Sequence, residues 1–140
     1  MKGFQIHPQL LADCHVIGKF DLCYLLLHKN GALPWFILVP QTDAGDFLDL
    51  PPALRTTEMN EAALVSDFIK KTLDYPKINF AAIGNMVPQL HLHVVGRTPG
   101  DPCWPAPVWG HLGDGREYSR ERVAEIAGLL VEHCGLIVLN

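Results

Sequence analysis

Gln89-Leu90-His91-Leu92-His93-Val94-Val95 is the stretch that decides how this chain is read. Two histidines alternate with apolar residues at a spacing of two. In a β-strand that period places His91 and His93 on one face and Leu90, Leu92 and Val94 on the other. Gln89 falls on the histidine side. The pattern predicts a strand over Gln89 to Arg97, with an apolar back on a core and a polar front able to do chemistry.

Working outward, Gly84-Asn85-Met86-Val87-Pro88 predicts a tight turn, and Lys77 to Ile83 a strand before it. Trp35-Phe36-Ile37-Leu38-Val39 is an apolar run closed by Pro40, the pattern of a buried central strand. Asp13 to Phe20 and Leu22 to His28 are short apolar-rich runs joined by a turn near Lys19-Phe20-Asp21, which predicts a hairpin. Lys29-Asn30-Gly31 ends its second strand. After a connection over Gln41 to Leu50, Pro51-Pro52 suits the first turn of a helix, with Asp49 as candidate cap. Leu54, Ala62, Val65, Phe68, Ile69, Thr72 and Leu73 recur at roughly helical spacing, so an amphipathic helix is expected from about Pro51 to Asp74, with Pro76 just beyond it.

Downstream of the histidines, Arg97 is expected as an exposed strand-end arginine. Thr98 to Gly115 contains Pro99, Pro102, Pro105 and Pro107 with Trp104 and Trp109, and reads as an ordered extended segment. Ser119 is placed to cap a last helix whose stripe is Val123, Ile126, Ala127, Leu130 and Val131. Gly135 to Asn140 is a short apolar tail. Strands, a long helix, more strands and a C-terminal helix predict an α+β fold, with helices on one face of an antiparallel sheet.

The chain has 140 residues, which predicts one domain over 1–140, and 49% of them are apolar, enough for a core. A formal net charge of −4 argues against a nucleic-acid binder working by bulk electrostatics and leaves room for a small anionic ligand. No apolar run is long enough for a transmembrane helix, so no membrane partner is expected. Met1-Lys2-Gly3-Phe4-Gln5-Ile6-His7-Pro8 carries no apolar core of the kind a secretory leader has. Cys14, Cys23, Cys103 and Cys134 show neither zinc-finger spacing nor a disulfide framework. Scattered cysteines without a leader fit a reducing compartment, and a cytoplasmic location is expected.

The paired histidines admit three readings. They are surface residues of an edge strand, or they are metal ligands, or they do nucleophilic chemistry. A metal site needs a third ligand, and nothing in the spacing of His7, His15, His28, His111 or His133 supplies one. A neutral imidazole, by contrast, is a good nucleophile toward phosphorus and a good leaving group once protonated. A second imidazole two residues on can reach a phosphate oxygen or the leaving group, and phosphoryl-type transfer asks for little beyond such positioning and charge stabilisation.

The motif resembles the signature of the histidine triad (HIT) superfamily, in which three histidines alternate with apolar residues and two further apolar residues follow. His91 and His93 match the second and third histidines, and Gln89 stands where the first usually is. Trp35 to Pro40 is similar to the family's proline-terminated apolar strand, Gly84-Asn85 to its usual Gly-Gln, and Trp104-Pro105 to the Trp-Pro of many members. Gly84 to His93 together with Trp104 to Trp109 resembles a bacterial HIT group that carries Gln-x-His-x-His. The likeness covers a core of about residues 13–110 and leaves an extension with a helix over about 116–140.

The resemblance implies a five-stranded antiparallel sheet with one long helix, usually dimeric, here with an additional C-terminal helix. It implies a metal-independent, cofactor-free nucleotide hydrolase or nucleotidyl transferase of the dinucleoside polyphosphate or nucleoside phosphoramidate type. Such enzymes act at the α-phosphate through a covalent nucleotidyl-histidine. By position His91 is the nucleophile, His93 binds the transferring phosphate or leaving group, Asn85 donates an amide N–H, and Gln89 is an orienting group. Gln89 in place of the first histidine and Trp35 where many members have another histidine together imply repacked surroundings that keep the nucleophile, with activity slowed or retargeted but not lost. Asn30 is the candidate for the ribose or simply a residue of the hairpin turn, Leu22, Leu26 and Phe36 are candidates for the base slot or plain core, and Trp104 and Trp109 either close the site or bury a dimer contact. The alternatives are an idle nucleotide-binding module and, further off, a metal-dependent His-x-His protein.

Overall fold

The computed structural model describes residues 3–139; Met1, Lys2 and the final Asn140 of the apolar tail lie outside them. The elements run α1 (Pro8–Asp13), β1 (Cys14–Lys19), β2 (Cys23–His28), β3 (Trp35–Pro40), a 3-10 turn (Phe47–Asp49), α2 (Pro52–Lys71), β4 (Lys77–Ala82), β5 (Leu92–Arg97), α3 (Arg120–Cys134) and β6 (Ile137–Val138). The strands form one antiparallel sheet in the order β4-β5-β3-β2-β1-β6. The fold is α+β, as expected.

The sheet has six strands where five were expected. The extra one is the two-residue β6, which α3 returns to the outer edge of β1 beside Gly18 and Lys19. Strand β5 begins at Leu92, later than the expected Gln89, because its pairing with Leu38 of β3 and Ala82 of β4 ends there. Helix α1 was not expected. Six residues give no readable periodicity, but Pro8 presets the first turn and the His7 ring nitrogen accepts from the Gln9 backbone N–H at 3.0 Å. Asp49 does not cap α2: it sits in the 3-10 turn, and α2 starts behind Pro51 with no side-chain cap. Ser119 does cap α3, accepting from the Arg122 N–H at 3.1 Å.

Every residue of β3 is buried, because both faces of the sheet are covered there. On one face α2 and α3 pack Val65, Phe68, Ile69, Ile126 and Leu130 against Leu25, Leu27, Phe36, Leu38 and Val94. Burial of each such side chain stabilises the fold by roughly 1.5–3 kcal/mol. Gly96 permits the approach: a Cβ there would meet Ile69 Cγ2 at 2.6 Å and Pro34 Cγ at 2.7 Å. On the other face Leu10 of α1 and Val108 of the proline-rich segment pack with Leu26, Trp35, Ile37, Val39 and Val95. Thus α2 and α3 share one face as expected, and α1 takes the opposite one.

Arg97 is not exposed. Only 1% of it reaches solvent, and its guanidinium binds Asp101 at 2.8 and 3.1 Å and Asn79 at 2.9 Å, with Trp104 over its plane. Asp101 also accepts from the Thr98 and Cys103 N–H groups. This buried pair ties the segment after β5 back onto the sheet.

Candidate active site

The alternation read from the sequence holds through the end of β5. Leu90 and Leu92 join Leu50 in a small apolar cluster, and Val94 enters the helix-covered core. His91 and His93 emerge on the opposite side, both largely buried, with ring centroids 4.9 Å apart. His93 lies beside Ile37 of β3 and Ala81 of β4. The two imidazoles line a cavity of about 360 Å³ with Leu10, Asp13, His28, Trp35, Trp109 and the turn from Gly84 to Val87. That volume suits a small-molecule ligand.

The hydrogen bonds give the two imidazoles opposite tautomers. His91 Nδ1 lies 2.8 Å from the backbone carbonyl of Gln89. A carbonyl only accepts, so Nδ1 carries the proton and Nε2 keeps a free lone pair. His93 Nδ1 accepts from the indole N–H of Trp35 at 3.0 Å. Indole only donates, so neutral His93 carries its proton on Nε2. Burial, then the neighbouring imidazoles His91 and His28, pull the His93 pKa down to about 3. His93 is therefore a neutral N–H donor beside a nitrogen that can attack.

His28, at the end of β2, stacks on Trp35 with centroids 4.3 Å apart and planes 14° from parallel. Its Nδ1 accepts from the Asn30 N–H at 3.0 Å, and burial holds its pKa below the ordinary imidazole range against the opposing pull of Asp13. Trp109 stands edge-on to both Trp35 and His93, with centroids 6.1 and 5.1 Å away. The Asp13 carboxylate takes the Gln9 amide at 3.0 and 3.1 Å.

Of the residues expected at the site, His91, His93 and Asn85 share the cavity. Asn85 follows Gly84, whose φ of 70° is a left-handed turn geometry that glycine adopts without strain. Gln89 contributes its backbone carbonyl, but its side chain leaves the site: it donates to Gln5 O and accepts from His7 N–H, both at 2.8 Å, clamping the N-terminal segment. Asn30 is not at the cavity. Its amide donates to Gly113 O and accepts from Ala32 N–H, and its backbone pairs with Glu117, so it knits the hairpin turn to the C-terminal segment.

Leu22 and Phe36 are core residues on the helix-covered face, and Leu26 lies beneath the cavity in the cluster that holds Trp35 and Ile37. None of the three lines the cavity. Trp104 is partly exposed against Arg97. Of the two tryptophans, Trp109 lines the cavity and Trp104 does not. His28, Asp13 and Leu10 line the cavity without having been singled out for it, and Trp35, expected as a departure in the surroundings of the histidines, lines it too. A strand-end histidine at the close of an apolar run was the only visible signal for His28. Among the described residues, no three histidine, cysteine or carboxylate side chains are grouped closely enough to share a metal ion.

Comparison with known proteins agrees with this geometry. The chain superposes on the crystal structure of a histidine triad protein from Sinorhizobium meliloti with a TM-score of 0.89 and 37% identity, covering 95% of this chain and 98% of that one. A histidine triad protein from Marinobacter aquaeolei gives 0.88 and 38%, with 96% and 98% covered. One from Bradyrhizobium japonicum gives 0.86 and 33%, with 92% and 96% covered. No curated protein matches in sequence. The family model for the HIT domain matches residues 9–100, which span α1 through β5 and hold every cavity-lining residue except Trp109, and the chain belongs to the HIT family.

Proposed function

We propose that this protein is a nucleotide hydrolase or nucleotidyl transferase acting at the α-phosphate through a covalent nucleotidyl intermediate on His91. The observation that carries the reading is the hydrogen bond from His91 Nδ1 to the Gln89 carbonyl, which leaves Nε2 as the unprotonated nitrogen of a cavity-lining imidazole. Nε2 attacks phosphorus, the leaving group departs with the bridging bond's electrons, and the charge left on the ring is shared with the Gln89 carbonyl through Nδ1–H. Water then attacks phosphorus, the P–N pair returns to Nε2, and a nucleoside monophosphate is released. His93, with its proton on Nε2, supplies an N–H donor to the phosphoryl oxygens as charge develops. Asn85, which also lines the cavity, offers its amide as a second donor.

His91→Asn tests the assignment. It keeps polar bulk and removes the nucleophile, so turnover of diadenosine polyphosphates and adenosine 5′-phosphoramidate should vanish while the fold and nucleotide binding persist. Wild-type rates in that variant would remove His91 from the mechanism. Nucleotide binding by the unmodified protein without turnover would instead identify a binding module.

A further inference from the structure

We infer that Gln89 is a positioning residue for nucleotide binding: its side chain latches the N-terminal segment, residues 3–13, onto the backbone that carries His91, and so completes the cavity wall that Leu10 and Asp13 form. This rests on a nucleotide being the ligand of that cavity and concerns what holds the cavity in shape.

The chemistry of the side chain makes the latch. Gln89 Nε2 donates to the Gln5 carbonyl and Oε1 accepts from the His7 N–H, both at 2.8 Å. These two backbone groups flank Ile6, and one primary amide meets both because its oxygen and nitrogen sit side by side on one carbon. A neutral imidazole also offers one donor and one acceptor, but its nitrogens point away from each other across the ring, so a histidine here could not make the pair. The backbone carbonyl of the same residue accepts the His91 Nδ1–H. One residue thus holds the tautomer of the nucleophile with its main chain and the N-terminal segment with its side chain.

The segment reaches the cavity through α1. The His7 ring caps that helix at the Gln9 N–H, and the Leu11 N–H bonds the His7 carbonyl at 3.1 Å. Leu10 packs in the cluster of Trp35 and Ile37, and Asp13 ends the helix at the cavity. The far end of the segment is fixed by its continuity with β1 and by the Lys29 N–H, which donates to the Asp13 carbonyl at 2.9 Å. At the near end, among the described residues, the two Gln89 bonds are the hydrogen bonds that join residues 3–7 to the chain beyond α1. Phe4 adds a stack on Tyr24, with centroids 5.9 Å apart. Another flank of the segment is unfilled. A second cavity of about 660 Å³ lies there, lined by Phe4, Ile6, Leu11, Val16 and Leu139 together with Gln89, and 46% of Leu11 is exposed. Leu10 aside, little apolar burial holds the segment down, so the Gln89 amide decides how firmly it docks.

A six-residue helix does not persist in water once undocked, so hydrogen exchange of the Leu11 amide reports the docking. In the wild-type full chain, saturating adenosine monophosphate should slow that exchange by about 5-fold or more, because a ligand that needs the wall stabilises it in return. Gln89→Met keeps the side-chain length and removes both hydrogen bonds. It should speed exchange at Leu11 by roughly 5- to 150-fold, the worth of two hydrogen bonds, and raise KM for a diadenosine polyphosphate by a larger factor than it lowers kcat. Leu11 exchange that ignores adenosine monophosphate would overturn the inference, and that measurement needs no variant. So would a Gln89→Met protein with wild-type exchange and KM, or one whose kcat falls while KM holds, which would put the effect on His91 instead of the wall. Each of these results leaves His91 as nucleophile, provided an acid-labile nucleotide still forms there in the wild type. Wild-type protein that neither binds adenosine monophosphate nor forms that adduct would overturn the proposed function and this inference together.

Discussion

His91 and His93 differ by two positions and by which nitrogen bears the proton, and the difference comes from one partner each. A backbone carbonyl faces one ring and an indole N–H faces the other. The role proposed for His93 as a donor predicts a graded series. His93→Ala should slow turnover by roughly 100- to 10,000-fold, the scale of one lost electrostatic donor. His93→Gln keeps an N–H and should lose less, and steady-state kcat for the two variants checks the order. Equal losses would mean that the ring matters for its shape alone. This pair was legible in the sequence because a period of two is a property of a single strand. The partners were not. His28, Trp35 and His93 meet because β2, β3 and β5 adopt one particular register, and Trp109 arrives from a segment without periodicity. Asn30 admitted both a ribose role and a plain turn role for a related reason: a turn signal shows where the chain reverses, not what its side chain bonds to, and its bonds are those of the turn.

At the scale of elements, the long helix and the central strands were readable because each has a repeating apolar face. Helix α1 and strand β6 were not, since a six-residue and a two-residue element carry too few repeats to show one. The proline-rich segment after β5 was read as ordered, but its anchor was read as an exposed arginine. The Arg97–Asp101 pair is 1% exposed on each side, and it fixes the chain that delivers Val108 and Trp109 to the cavity side of the sheet. Its guanidinium hydrogen bond holds the Asp101 pKa below the usual carboxylate range. Removing one partner leaves a buried charge uncompensated, so Asp101→Asn should cost about 3–5 kcal/mol of stability. Urea unfolding measures the loss, and tryptophan fluorescence should report a loosened Trp109 before the sheet unfolds. A loss below about 1 kcal/mol would show that the segment is held by apolar contacts instead.

Across the whole molecule, α2 places two carboxylates against the sheet one turn apart. Glu61 accepts the Leu22 and Cys23 N–H groups at 2.9 and 2.8 Å and so positions the start of β2. Glu58 is fully buried, and neither of its oxygens has a partner among the described residues. Burial, and then the Glu61 charge, push its pKa from 4.5 up to about 7. The folded state therefore holds this proton more tightly than the unfolded chain does. The associated stability is fully present below about pH 4.5 and is lost as pH rises through about 7. Glu58→Gln should gain on the wild type across that window, by at most about 3 kcal/mol, and urea unfolding at a series of pH values gives the difference. A difference independent of pH would mean that Glu58 is ionised in the fold throughout. No feature of the helical pattern marks Glu58, because an acidic residue at its position reads equally well as part of a solvated face.

The central claim is that His91 carries the nucleotide during turnover. Intact-mass measurement of the protein, mixed with a diadenosine polyphosphate and quenched in alkaline denaturant within the first turnovers, tests it most directly. The account predicts a single added adenylyl group that maps to His91, survives alkali, is lost in acid, and is missing from His91→Asn. Wild-type protein that turns the substrate over with no adduct at any time, or with the adduct on another residue, would contradict it.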